Sequence, residues 1–374
     1  MNFGFTDEQD LLRAEVRKFL DESCPMEAVR KIAASAPGYS PELWKRTSEL
    51  GWAGLTVPEA HGGAGLGFVD LVVLLEEAGR TLYPSPLIAT TLAATAIQDA
   101  GSEAQQARWL PSLAQGERIG TVALLEASDV LGPAGVALDA RGEGDALVLS
   151  GEKRFVPDGH AADLFVVACR TGRAPDDVTL VVLERSAAGL TTDNLPCIDE
   201  TKRLGRIRLE GVRVKADAVL AAKPGAAALT RLLDRGAAAV TAEMIGAAEG
   251  ALALTVRYAK ERLQFGSPIG RYQGVKHPLA EIYVDVESAK SLLYFAAWAL
   301  DENPEEAPRA VSMAKAYATE AFSRLGVDVV QLHGGIGYTW EYDAQLYLKR
   351  SKWARPAFGD AEHHYERAAA LGGL

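Results

Sequence analysis

The residues best equipped for chemistry are Arg262-Leu263-Gln264-Phe265-Gly266, then Gln273, and well downstream Gln331-Leu332-His333-Gly334-Gly335. A guanidinium is always charged and pairs with phosphate oxygens in a fork. Amide side chains donate and accept, and glycine lets backbone N–H groups come close to a ligand. Together these suit the pyrophosphate of a dinucleotide. The ordinary alternative is that Gly266 caps a helix and Arg262 is a surface arginine.

The elements that must position these groups are long helices. Leu229 to Leu263 reads as one helix, Val275 to Leu300 and Pro308 to Leu332 as two more, and Glu341 to Trp353 as a fourth. Long helices joined by short loops predict a bundle. The first third is also helical. Thr6-Asp7-Glu8-Gln9 has the capping-box pattern, Ser40-Pro41 places a cap before a proline at the first helical position, and a helix is expected from about Phe68 to Leu82. Near Gly120 the texture changes to short apolar runs between polar turns (146–149, 164–168, 179–183), and 206–214 alternates apolar with charged residues, as half-buried strands do. The expected class is α+β in three parts: an N-terminal all-α domain (1–118), a central β-sandwich or barrel (119–222) and a C-terminal four-helix bundle (223–374).

Composition removes several functions. A net charge of −11 argues against a nucleic-acid partner. Three scattered cysteines fit a reducing cytoplasm, with neither a disulfide framework nor metal spacing. Adjacent His363 and His364 point apart on a helix, so no metal is expected there. No apolar run is expected to span a membrane, and the acidic start is not a signal sequence.

The order helical, β, helical, with Arg262-x-x-Phe265-Gly266-x-x-Ile269-Gly270-x-x-Gln273 and Gln331-x-x-Gly334-Gly335-x-Gly337, resembles the acyl-CoA dehydrogenase family along the whole chain. Phe5-Thr6-Asp7-Glu8-Gln9, Val57-Pro58-Glu59-x-x-Gly62-Gly63 and Gly151-Glu152-Lys153 belong to the same likeness. The resemblance implies FAD, an acyl-CoA thioester substrate, α,β-dehydrogenation, an electron-transferring flavoprotein as acceptor, and a tetramer assembled as a dimer of dimers. It also implies that Arg262, Gln264, Phe265 and Gln273 lie along the adenine half of a neighbouring subunit's FAD, with Gln331, Leu332, His333, Gly334 and Gly335 closing over it.

The chain departs from that pattern where the reaction would occur. The family's carboxylate base sits in a turn matched here by Phe358-Gly359-Asp360-Ala361, with glycine in the glutamate's place. The alternative family position falls at Gly236. Asp360 and Glu243 are the candidate substitutes, with Asp234 a third; their ordinary readings are a turn aspartate, a buried paired glutamate and a solvated helix charge. The flavin-facing segments differ too. Leu125-Glu126-Ala127-Ser128-Asp129 lacks the expected hydroxyl, and Phe155-Val156-Pro157 has a proline that brings neither hydroxyl nor N–H. Phe155 remains a candidate cover for the flavin ring. Arg350 reads as an ordinary exposed helix charge, and 338–342 as subunit-interface packing.

Residues serving this chain's own flavin ring are thus degraded, while those lent to a neighbour are kept. That split predicts a heterotetramer with a base-bearing paralogue, resembling the bacterial steroid side-chain branch of the family. A homotetramer, a catalytically silent acyl-CoA- or FAD-binding subunit, and a flavin monooxygenase on the same fold stay open.

Overall fold

The computed structural model describes residues 4–374. The chain forms two compact units, and neither is one continuous run: residues 4–31, 68–83 and 237–374 make the first, and residues 32–67 and 84–236 the second.

The first unit is helical. It contains α1 (Asp7–Ser23), α4 (Phe68–Arg80), α8 (Gln273–Glu302), α9 (Ala307–His333), α10 (Ala344–Ala354) and α11 (Ala361–Leu371), with most of the long helix α7 (Gly225–Glu261). Local chemistry sets the starts. Thr6 accepts from the Gln9 amide while the Gln9 side chain returns to the Thr6 N–H, a full capping box. The Asp301 carboxylate, from α8, accepts from the amides of Phe68 and Val69 at 2.8 and 3.1 Å and so caps α4 from outside. Helix α9 packs against α8, α10 and α11. The last of these, α11, is absent from the sequence expectation.

Helix α4 is buried on every side from Leu71 to Gly79, including Glu76 and Glu77. Buried charge must be paired. Arg13 reaches Glu76 at 2.8 Å and Tyr294 donates to it at 3.0 Å, while Arg17 and Arg80 hold Glu77. Burial nevertheless pushes the Glu76 carboxyl up to about 7. A Cβ at Gly79 would overlap the backbone of Glu243, and one at Gly246 the backbone of Glu76. Helices α4 and α7 therefore meet backbone to backbone.

By length and composition, α7 is able to cross a membrane, which corrects the expectation that no such segment exists. Its most apolar 18-residue stretch carries at most two charged residues, and 78% of that stretch is buried within the protein.

The second unit carries α3 (Pro41–Glu49), α5 (Leu87–Ala100), α6 (Glu103–Ala114) and two four-stranded sheets; α2 (Met26–Ala33) straddles the division after Lys31. Ser40 caps α3 as its sequence predicts. One sheet runs β1 (Gly120–Ala123), β4 (Leu164–Arg170), β5 (Val178–Glu184), β8 (Val219–Leu220), with β1 parallel to β4. The other runs β2 (Ala140–Glu143), β3 (Ala146–Pro157), β7 (Leu204–Lys215), β6 (Leu190–Leu195), antiparallel throughout. The alternating stretch read at 206–214 is strand β7.

Candidate functional site

Helix α7 ends at Glu261 and the chain enters a two-stranded hairpin, β9 (Leu263–Gln264) against β10 (Ser267–Pro268). Its two-residue turn is Phe265-Gly266, with φ of 52° and 75°. Two positive φ values are what the twist of a tight hairpin demands. Gly266 serves that turn and not a helix cap. Phenylalanine at positive φ is strained, and the ring is 93% exposed. The Tyr272 hydroxyl donates to the Gln264 carbonyl at 3.2 Å, and its ring meets Phe265 edge-on. Among the described residues the Arg262 guanidinium makes no ion pair or hydrogen bond; only its backbone is engaged, with Tyr258 and Ile269. The side chains of Gln273, at the first position of α8, and Gln331 are likewise exposed.

The second glycine motif closes α9. The Gly334 amide donates to the Gln331 carbonyl, and Gly334 takes φ 62°. Cβ atoms at Gly266, Gly334 and Gly335 would meet nothing within 4 Å, so this backbone is bare. Tyr258, one turn before Arg262, joins the two motifs: its hydroxyl donates to the His333 carbonyl at 3.3 Å and its ring lies 4.5 Å from the imidazole. His333 itself is buried, and its Nδ1–H donates to Val329 at 2.7 Å. Burial holds its pKa below the usual histidine value. His333 packs behind the motif, and Leu332 is half-buried beside it. Tyr342 joins the His333 cluster, while Tyr338 and Trp340 stay exposed. Arg262, Gln264, Gln273, Gln331 and the two glycines are left as an exposed donor set whose chemistry suits a pyrophosphate and its adenosine.

In the second unit the segments around residues 125 and 155 meet. The Arg154 amide donates to the Leu125 carbonyl at 2.9 Å, and the Thr121 hydroxyl donates to the Pro157 carbonyl. Fully buried Lys153 reaches Glu126 at 2.6 Å, and the same Glu126 oxygen accepts from the amides of Ala137 and Leu138. This hub pins the loop after β1; sequence reading noted Lys153 only as part of a motif. The register of β3 on β7 shifts between Lys153 and Val156, and Phe155 sits in that bulge at φ 53°, 44% exposed. Bulges re-aim side chains.

The candidate carboxylates are not brought together. Asp360 caps α11, accepting from the His363 amide at 2.9 Å. Glu243 is buried 3.7 Å from Arg350. Arg350 is 0% exposed, correcting the expectation of a surface charge: α10 packs on α9 and places Arg350 inward, over the Trp353 ring. Asp234 is also buried and not a solvated charge. Gly236 lies inside α7 as the last residue of the second unit. Two groups that sequence reading missed, Lys315 and His364, surround the Phe358–Asp360 turn. Neither belongs to a motif, and only the folded packing reveals them.

Comparison with known proteins identifies the family. Residues 6–117 match the family model for the acyl-CoA dehydrogenase N-terminal domain, and residues 224–371 the model for the C-terminal domain. The acyl-CoA dehydrogenase IpdE2 of Mycolicibacterium smegmatis is 34% identical over 366 residues, covering 98% of this chain and 99% of the relative. A solved ChsE4–ChsE5 complex from Mycobacterium tuberculosis superposes with a TM-score of 0.92 at 28% identity, covering 100% of this chain and 99% of that one. A Tcur3481–Tcur3483 steroid acyl-CoA dehydrogenase gives a TM-score of 0.88 at 32% identity over 98% of both chains. The chain belongs to the acyl-CoA dehydrogenase family, whose members are flavin-dependent oxidoreductases.

Proposed function

We propose that the chain is one half of a cytoplasmic FAD-dependent acyl-CoA dehydrogenase that introduces an α,β double bond into an acyl-CoA thioester, and that its partner is a base-bearing paralogue in a heterotetramer. Bound FAD supplies the acceptor for the β-hydride. The α-proton needs a carboxylate free to take it, and that group belongs to the partner. This chain contributes Arg262 to the FAD pyrophosphate, with Gln264, Phe265 and Gln273 along it and the adenosine, and with Gln331, Gly334 and Gly335 closing over them.

The observation that carries this reading is a contrast in commitment. Among the described residues, the exposed side chains of Arg262, Gln273 and Gln331 make no hydrogen bond or ion pair, whereas Asp360 is spent as a helix cap and Glu243 lies buried near Arg350. On the flavin-facing side, Pro157 contributes no donor. The two-chain composition of the ChsE4–ChsE5 and Tcur3481–Tcur3483 structures gives the assembly a precedent. The steroid dehydrogenase among them favours a bulky, steroid-derived acyl group. Electrons leave to an electron-transferring flavoprotein.

The test is expression of the chain alone and together with neighbouring paralogues, followed by flavin quantification and turnover with acyl-CoA substrates. The pair is expected to retain FAD and turn over, and the lone chain to do neither. Full flavin occupancy and turnover by the lone chain would overturn the proposal.

A further inference from the structure

The turn between α10 and α11 holds one strained residue followed by a glycine, both at positive φ. Phe358 has φ 55° and Gly359 φ 101°. Strain of this kind persists only where surrounding structure enforces it. Two buried groups do so here. Lys315, 0% exposed on α9, directs its Nζ at the carbonyls of Gly359 (2.9 Å), Ala354 (3.2 Å) and Arg355 (3.2 Å) and at the Thr319 hydroxyl (3.0 Å). His364, 2% exposed, donates from Nε2 to the Phe358 carbonyl at 2.9 Å. Every carbonyl from 358 to 359 is therefore claimed from behind.

The same packing leaves no room for a side chain. A Cβ at Gly359 would lie 2.7 Å from His364 Nε2, 2.8 Å from His363 Cδ2 and 3.0 Å from His364 Cδ2. The next residue is occupied as well, since the Asp360 carboxylate receives the His363 amide and its carbonyl receives the His364 amide at 3.2 Å.

We propose that Lys315 and His364 are positioning residues that hold the Phe358–Gly359 turn closed to any side chain at 359 and commit the Asp360 carboxylate to capping α11, so that this turn presents no base. The inference rests on the reading of this chain as the base-less half, and adds that the silence is enforced by packing, not by one missing glutamate. Restoring the carboxylate alone does not restore the function.

The experiment uses the full chain, alone and co-expressed with its partner. Unfolding midpoints are measured for Gly359→Ala, His364→Ala and the double variant. Each single change is expected to lower the midpoint, and the double variant to lie above the sum of the two losses, because removing the ring relieves the clash. Amide hydrogen exchange across 356–364 is expected to accelerate in Lys315→Met while the rest of α9 keeps its protection. Gly359→Glu is expected to add no turnover to either assembly. Additive losses, unchanged exchange at the turn, or turnover gained by Gly359→Glu would each overturn the inference. Turnover by the unaltered lone chain would instead defeat the paired-subunit reading and leave the coupling between 359 and 364 intact.

Discussion

The hairpin after α7 and the turn before α11 both carry residues in left-handed backbone, and the two could hardly be treated more differently by the fold. At the hairpin, Phe265 is 93% exposed and Arg262 makes no side-chain bond among the described residues. At the turn, Phe358 and Gly359 are tied down by Lys315 and His364. Strain held by a short hairpin and one tyrosine, with the phenylalanine ring left in solvent, points outward, to something that completes it. Strain held from behind by buried donors points inward, to a segment whose work is to stay put. Under the proposed function, one chain thus keeps the means to bind and has closed off a means to react.

The largest effect expected is on the closed side. Lys315→Met deletes the donor shared by the buried carbonyls of Ala354 and Gly359 and the part-buried one of Arg355, each buried one costing about 1–3 kcal/mol when left unsatisfied. A loss of about 3 kcal/mol or more in urea unfolding is expected; a loss under about 1 kcal/mol would mean that water replaces the ammonium and the clasp is dispensable. On the open side, Arg262→Ala in the paired assembly should weaken FAD retention about tenfold to hundredfold, in line with deleting one partner of a charged hydrogen-bonded pair. The lone chain's unfolding should barely change. Equilibrium dialysis of flavin, set beside the unfolding curve, separates the two outcomes, and equal damage to both would erase the contrast.

Acid sharpens the comparison further. Burial, helped by Lys315, His363 and Arg367 and opposed by the Phe358 carbonyl, pushes His364 down to about 3. The unfolded chain binds that proton below the ordinary 6.5 while the folded chain does not, so stability falls as pH drops from 6.5 towards 3. Glu76, raised to about 7, acts with the opposite sign between 7 and its ordinary 4.5. The difference between the unaltered chain and His364→Gln cancels Glu76. In that window the unaltered chain should lose ground against the variant, and parallel pH curves would refute a buried neutral imidazole.

Smaller effects follow at the caps. Asp360→Ala should cost about 1 kcal/mol and Asp360→Asn almost nothing, because asparagine also caps. A turnover of the pair that collapsed in Asp360→Asn would make Asp360 a base after all. Smallest is Phe265→Asn, which creates an Asn-Gly turn suited to two positive φ values. It should stabilise the lone chain by about 0.5 kcal/mol while loosening flavin in the pair, the trade expected where strain serves binding.

What the sequence discloses divides along similar lines. Thr6, Ser40 and the runs that became β4 and β5 were legible because local chemistry decides them: a hydroxyl at a cap, or β-branched residues between turns. The long helices announced themselves by periodicity. The hairpin did not, because phenylalanine is a poor signal for positive φ and the tight turn exists only once Tyr272 folds back on Gln264. Arg350 was misread for a related reason. Nothing near it in sequence says that Glu243, on another helix, waits beside it in the interior. Lys315 and His364 are invisible for the same cause, since each is defined by carbonyls on other elements.

The close backbone contact of α4 with α7, at Gly79 against Glu243 and at Gly246 against Glu76, has a mechanical consequence. From that crossing α7 runs on to Glu261, a lever of about 22 Å at 1.5 Å per residue. A methyl group at either glycine would pry the two rods apart, and a tilt of about 5° at the fulcrum would swing the far tip by about 2 Å. A side chain at either interior glycine is therefore expected to shift Arg262 at the far end of α7.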